Sequence, residues 1–212
     1  MSSHPTKLKR VSTGELVDAE LHDDLPLDAL FDAEELWAPE RVRILRDCVK
    51  RAVGDQDIPQ SIHWNWSRKT LDLRSRLSGP LSPYRLFGTK AEGRWQGLMV
   101  CCCVGYLSKI HTESRDVVYV NLLESAPWNW EIKAIGRTPL LRGIGKQLVE
   151  LAVRWSNDLG FKGRVGLHSL RQSETFYGTN CGMTDLGLDN KPPMRYFELT
   201  EKAARMFLEN EP

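Results

Sequence analysis

Arg142-Gly143-Ile144-Gly145-Lys146-Gln147-Leu148 is the stretch on which the reading of this chain turns. It opens a segment in which Ile144, Leu148, Leu151, Ala152, Trp155 and Leu159 recur at three- and four-residue spacing before Gly160. That is an amphipathic helix with its stop signal. Two glycines at a helix start let bare backbone N–H groups crowd around an anion, and the positive end of the helix dipole adds to the attraction. Arg142 and Lys146 put charge beside it. The stretch predicts a seat for a pyrophosphate. Two phosphate patterns fail on spacing. A P-loop ending on Gly145-Lys146 needs glycine where Leu140 stands and Ser or Thr where Gln147 stands. A dinucleotide fingerprint needs a third glycine at Leu148.

On either side of this helix, Val117 to Leu123 and Arg164 to His168 read as strands. Tyr84 to Phe87 and Trp95 to Tyr106 are earlier strands, Leu170 to Asn180 a helix, and Arg195 to Leu199 the last strand. Nearer the amino terminus, Val42, Leu45, Cys48, Val49, Ala52 and Val53 predict a helix with Pro39 near its first turn and its end at Gly54. Ser61 to Leu73, carrying His63, Trp64, Asn65 and Trp66, predicts a shorter one. Alternating strands and helices in the second half call for parallel pairing, and the consecutive strands before them for antiparallel pairing. The expected fold class is α/β with a mixed sheet.

Composition excludes several alternatives. With 212 residues, 41% of them hydrophobic and 27% charged, the chain can bury a sizeable core, unlike a disordered, collagen-like or disulfide-stapled chain. Its formal charge of +1 gives no global field for nucleic acid. The longest apolar stretch, Leu98 to Leu107, is half of the roughly 20 residues that a membrane-spanning helix needs. Met1 to Arg10 has no apolar core behind its charges and does not read as a signal peptide. Five cysteines, three of them adjacent (Cys101, Cys102, Cys103), suit small apolar filling in a buried strand rather than a metal site, and a reducing, cytoplasmic setting. Between Val11 and Glu40 there are ten acidic residues and no Lys or Arg. Residues 1–38 are therefore expected to form an acidic extension, with the domain over 39–212. This arm is either solvated or docks on a basic face through Leu21, Leu25, Leu27, Leu30 and Phe31.

From about residue 40 to 200 the order of elements resembles the GNAT N-acetyltransferase superfamily in a bacterial-type form. The family loop is Q/R-x-x-G-x-G/A. Gly143 and Gly145 match its glycines, Leu140 stands where Gln or Arg belongs, and Arg142 is positioned to supply the missing charge. Phe176-Tyr177 to Gly182-Met183 resembles the family's F-Y-x-x-x-G-F segment with one extra residue and Met183 in place of the aromatic. A second departure is Ser125 to Leu141, with Ala126-Pro127-Trp128-Asn129-Trp130, inserted between strand and loop.

The resemblance implies a mostly antiparallel sheet with a splayed parallel pair and helices on both faces. It also implies an acetyl-CoA-dependent N-acetyltransferase in which a primary amine attacks the thioester directly, with acetyl-CoA as co-substrate and no metal. The pyrophosphate would sit on Arg142, Gly143, Ile144, Gly145 and Lys146, and the strand through Leu123 and Ser125 would lend main-chain groups to the pantetheine arm and the thioester oxygen. Tyr177 is the expected general acid for the departing thiolate, the alternative being a core aromatic beside Phe176. Glu124, sharing strand parity with Val118, Val120 and Leu122, is the first candidate base, the alternative being a solvated rim carboxylate. His168 is the second, the alternative being a structural histidine. His63, Trp64, Trp66, Trp128 and Asn129 are expected to line the acceptor pocket, unless the aromatics are core. Lys133, Arg137 and Arg142 are candidates for the CoA 3′-phosphate. A small-molecule or peptide amine is the expected partner, with a homodimer as a further expectation of the resemblance, and neither nucleic acid nor membrane. Two other readings stay open: a non-catalytic acyl-CoA-binding module that engages a protein partner, and a toxin that acetylates aminoacyl-tRNA.

Overall fold

A computed structural model describes residues 2–70, 82–111, 113 and 115–209. Nine strands form one sheet, β1 (Ser2–Arg10), β2 (Leu16–Asp23), β3 (Tyr84–Ala91), β4 (Arg94–Cys102), β5 (Val118–Ser125), β6 (Leu141–Arg142), β7 (Val165–Ser169), β8 (Thr184–Leu188) and β9 (Arg195–Leu199). Their spatial order is β6-β1-β2-β3-β4-β5-β7-β9-β8. Every neighbouring pair is antiparallel except β5 and β7, which run parallel. The helices are α1 (Asp28–Lys50), α2 (Trp66–Lys69), α3 (Ile144–Asp158) and α4 (Glu201–Glu209). The fold is a mixed α/β sheet with helices on both faces. Among the described residues, no helix is long and apolar enough to cross a membrane.

Each face has its own core. Ile144, Leu148, Leu151, Ala152 and Trp155 of α3 pack with Leu8, Leu21, Met99, Val118, Val120 and Leu167. On the opposite face Leu30, Ala33 and Trp37 of α1 pack with Trp66, Leu86, Leu98 and Val100. Burial on this scale stabilises by roughly 25 cal/mol per Å² of apolar surface removed from water. Cys101 and Cys102 are buried in β4, as filling residues should be, while Cys103 is half-buried.

The amino-terminal segment corrects the expectation of an acidic extension. β1 and β2 are full members of the sheet, and the boundary expected at 38/39 falls inside α1. In β2, Val17, Ala19 and Leu21 alternate with Asp18, Glu20 and His22, so one face is apolar and the other carries the charge. Asp18 pairs with Lys7 and Glu40 with Arg43 and Arg137, so much of the acidic run is answered within the chain. Pro39 lies in the middle of α1, not at its start. The buried stripe is also rotated from the expected one. Trp37, Arg41, Ile44 and Cys48 are buried, whereas Val42 and Val49 are exposed. A buried arginine on the inward face hid the true period. Of the helix expected over Ser61 to Leu73, the described residues form a single turn, Trp66–Lys69, capped by the Asn65 side chain, and residues 71–73 lie outside the described residues.

Candidate active site

The site is built where β5 changes character. Val100 pairs with Leu122 but Cys101 pairs with Val120, so Asn121 is an extra residue, a β-bulge. The bulge switches faces: Val118 and Val120 point into the α3 core, and Leu122 into the α1 core. Glu124 therefore does not share a face with Val118 and Val120, as plain alternation predicted; it lies on the α1 side, opposite Leu98. Pairing between β5 and β7 stops at Val120 and Leu167. Beyond that point the strands diverge. In an antiparallel ladder alternate residues direct their N–H and C=O groups away from the partner strand, so residues 121–125 offer towards the gap an edge that β7 does not pair, with the Ser125 carbonyl taken by the Trp130 indole at 3.0 Å.

The gap is a cleft of about 740 Å³. Leu123, Glu124 and Ser125 of β5, Arg142 to Gly145, and Phe176 and Tyr177 all line it. Gly143 caps α3 with φ of +102°, a conformation that L side chains rarely adopt, and no side chain caps the helix. The first helical backbone bond runs from the Gln147 N–H to the Gly143 carbonyl at 3.1 Å, which leaves the amides of Ile144 and Gly145 without helical acceptors. A Cβ on Gly145 would lie 2.9 Å from the Phe176 ring, and one on Gly97 would lie 2.5 Å from Ile144. Glycine at these two sites lets the first turn of α3 sit down on β4 beside the Phe176 ring. β1 supports the loop from behind: Lys9 pairs with Arg142, and the Gln147 amide holds Thr6 Oγ1 at 2.9 Å and the Lys7 carbonyl at 2.7 Å. Lys146 does not line the cleft; its ammonium stands over the Phe207 ring. Arg142 does, and pairs weakly with Glu131.

The segment carrying Tyr177 shows what the extra residue does. Phe176–Asn180 is a π-helical turn, closed by the Cys181 N–H on the Phe176 carbonyl at 3.1 Å. A π turn is how a helix absorbs one inserted residue, and here Tyr177 lines the cleft from the edge of the α3 core, its ring against Phe176 and Phe197. Burial pushes its phenol well above the ordinary range, so it stays protonated at neutral pH.

Glu124 is buried, and burial raises its carboxyl pKa against the opposing pull of Arg41. Oε2 accepts from Arg41 Nη2 at 2.8 Å and from the Trp66 indole at 2.7 Å. Oε1 makes no hydrogen bond among the described residues, although the Ser61 hydroxyl stands close enough to favour the charged form.

Several expected residues lie elsewhere. His168 is not in the cleft. Its Nδ1 meets the Tyr119 hydroxyl at 2.8 Å and its Nε2 faces Asp189 at 3.3 Å, on the other side of the strand gap, and burial lowers its pKa. Trp66 and Trp128 are core residues beneath α1, Trp64 lies under Lys69, and His63 is exposed; none of the four lines the cleft. Asn129 does line it, but its amide is committed to Gln96 Oε1 at 2.9 Å and to the Leu141 N–H at 2.9 Å. Gln96 also accepts from the Trp128 indole at 2.7 Å, which anchors the inserted segment to β4. Lys133 lines the cleft, whereas Arg137 is spent on Glu40 and the Pro127 carbonyl.

Sequence reading missed the opposite wall. Gln56, Asp57, Pro59, Gln60 and Ser61 face the cleft, clasped by Gln172. The Gln172 amide donates to the Gln56 and Ile58 carbonyls at 3.0 and 2.8 Å and accepts from the Gln60 N–H at 2.9 Å. A Gln in a loop carries no pattern that announces this. Arg41 had a signal, a basic residue at helical spacing between Trp37 and Ile44, but Val42 and Val49 drew the apolar stripe to the wrong side.

No protein-family model matches the sequence, and no curated protein matches it. Solved structures do. The GNAT domain of S. lividans PAT aligns with a TM-score of 0.53 at 14% identity, over 92% of this chain and 95% of its own. A putative arylalkylamine N-acetyltransferase 7 from the yellow fever mosquito aligns at 0.53 and 13% identity, over 93% and 94%. The PaiA N-acetyltransferase of Thermoplasma acidophilum, in complex with coenzyme A, aligns at 0.51 and 16% identity, over 85% and 97%. By its sheet order, its one parallel pair and these alignments, the chain has the fold of the GNAT acetyltransferases.

Proposed function

We propose that this chain is an acetyl-CoA-dependent N-acetyltransferase of the GNAT superfamily that acts on a primary amine. The observation that carries the reading is a convergence: one cleft holds the uncapped start of a helix at Ile144 and Gly145, the edge of a diverging strand, a protonated tyrosine and a buried carboxylate. The residues fit the co-substrate. The left-handed Gly143 starts α3 with no side-chain cap, so the Ile144 and Gly145 amides can receive a pyrophosphate, and residues 121–125 offer main-chain groups to an extended pantetheine arm, as an added strand would. Bound acetyl-CoA supplies the thioester carbonyl that the amine attacks. Glu124 takes the proton that an ammonium must lose first, and its buried setting makes it a stronger base than a solvated carboxylate. Tyr177 holds a proton for the departing thiolate. The five free thiols suit a reducing compartment such as the cytoplasm.

The acidic segment through which a binding module was expected to engage a partner is built into β2 and α1, while the altered Tyr segment and the inserted loop that keep that reading open are still present. The test is acetyl-CoA-dependent thiol release over a panel of primary alkylamines and arylalkylamines. Amine-stimulated release supports the reading. Tight acetyl-CoA binding with no release over the whole panel would turn the assignment to a binding module.

A further inference from the structure

Behind Glu124 lies a buried cluster that the proposed chemistry does not by itself require. Glu34, Arg41 and Glu124 are 8%, 4% and 4% exposed, and with all three ionised they carry one surplus negative charge. Arg41 divides its donors unevenly. Its Nη1 holds both oxygens of Glu34, at 2.9 and 3.1 Å, while Nη2 holds only Oε2 of Glu124. Trp66 repeats the pattern, its backbone N–H on Glu34 Oε1 at 2.8 Å and its indole on Glu124 Oε2. Every one of these donors lands on Glu34 or on the same oxygen of Glu124. Oε1 is left over, buried at the wall of the cleft, where a proton or a cationic donor would satisfy it.

We propose that Arg41 is a positioning residue: it grips Glu124 from behind by Oε2 and leaves Oε1 as the docking atom for an acceptor that enters as a primary ammonium. This rests on the acetyl-transfer reading and adds to it the residue that orients Glu124 and the one oxygen, Oε1, on which the ammonium docks. The charge balance favours the next step. When the ammonium gives a proton to Oε1, directly or through the Ser61 hydroxyl, the nitrogen lone pair is freed for attack. The cluster then holds a neutral acid beside a balanced Glu34–Arg41 pair. The proton returns to water before the next turnover. The groups that face Glu124 are Arg41 and Glu34 from α1, Trp66 and Lys69 from α2, Ser61 from the front loop and Leu98 from β4, with Asp57, Glu131 and Tyr177 along the cleft. Arg41 and Glu34 pull on it in opposite senses, so their variants should move it in opposite directions.

The experiment is a pH titration of the Glu124 carboxyl carbon by ¹³C NMR on the full chain, with the signal assigned through E124Q. Removing the positive neighbour in R41Q should raise the midpoint by more than about one pH unit, and removing the negative one in E34Q should lower it. R41K should return it most of the way to the parent value. Methylammonium is the ligand probe. It should perturb the Glu124 signal and lower its midpoint, whereas methanol at the same concentration should do neither. Loss of packing alone cannot give opposite shifts, and E34Q and R41K keep the test open if R41Q fails to fold. Midpoints that stay put, or move the same way in R41Q and E34Q, would overturn the positioning role. A Glu124 signal indifferent to methylammonium would overturn the ammonium seat. Both shifts present, with no amine-dependent thiol release, would uphold the seat and sink the acetyl-transfer reading instead.

Discussion

The two ends of the cleft are made of different material. At the loop end the ligand meets backbone amides, and what exposes them is a pair of glycines, one in a left-handed conformation and one flat against a ring. At the acceptor end the ligand meets side chains held by other side chains. Arg41 reaches Glu124 across 83 residues of sequence, and Gln172 reaches Gln56 across 116. A site made of backbone has few residue types that can build it. A site made of side chains is assembled only once the strands and helices are in register. The first is local; the second belongs to the tertiary fold.

That contrast is open to attack at several points. The largest expected effect is at Tyr177, where the two ends meet. Tyr177→Phe removes one hydroxyl and almost no volume, so acetyl-CoA affinity should hold while turnover falls by roughly 10²–10⁴-fold, the usual share of a positioned proton donor. Because burial lifts its phenol, loss of activity from its ionisation should lie well above neutral pH. Affinity lost together with turnover would make Tyr177 a packing residue. At the acceptor wall, Gln172→Ala opens the clasp on residues 56–60. It should change the KM for amines by roughly 3–10-fold and favour bulkier ones, with acetyl-CoA affinity within about two-fold, as expected from losing a few neutral hydrogen bonds at the surface. Equal losses for both substrates would show that the clasp supports the whole cleft. The smallest effect is expected at Leu140, which stands where the family pattern has Gln or Arg but is not among the cleft-lining residues. Leu140→Gln should leave acetyl-CoA affinity within about two-fold. A gain above ten-fold, or roughly 1.4 kcal/mol, would mean that this position reaches the phosphates after all.

How much of this could be read in advance follows the same division. RGIGK, the α3 stripe and the F-Y segment placed the helix, the loop and the tyrosine, because each is written in neighbouring residues. The strand β9 falls where its apolar run put it, at Arg195–Leu199. β2 was legible in principle from Val17, Ala19 and Leu21, but the acidic run around them read as solvated arm. The Asn121 bulge was not legible: a one-residue shift in pairing leaves no mark in composition, yet it decides which face Glu124 occupies. For Trp66 and Trp128 the sequence leaves pocket and core both open, because it distinguishes a large apolar side chain from a small one, not a core from a cleft; the structure places both in the core.

The central claim is that one cleft, opened by glycines at the start of α3, takes acetyl-CoA. Calorimetric titration of the parent and of Gly143→Val/Gly145→Val with acetyl-CoA tests it most directly, with circular dichroism to establish that the variant folds. A side chain at 143 is strained in the left-handed backbone, and one at 145 meets Phe176, so the pair should displace the amides that would receive the pyrophosphate. The account predicts a saturable one-to-one isotherm for the parent and an affinity at least about 100-fold weaker for the folded variant, a loss of roughly 2.7 kcal/mol. A folded variant that binds acetyl-CoA as tightly as the parent, or a parent that does not bind it, would contradict the account.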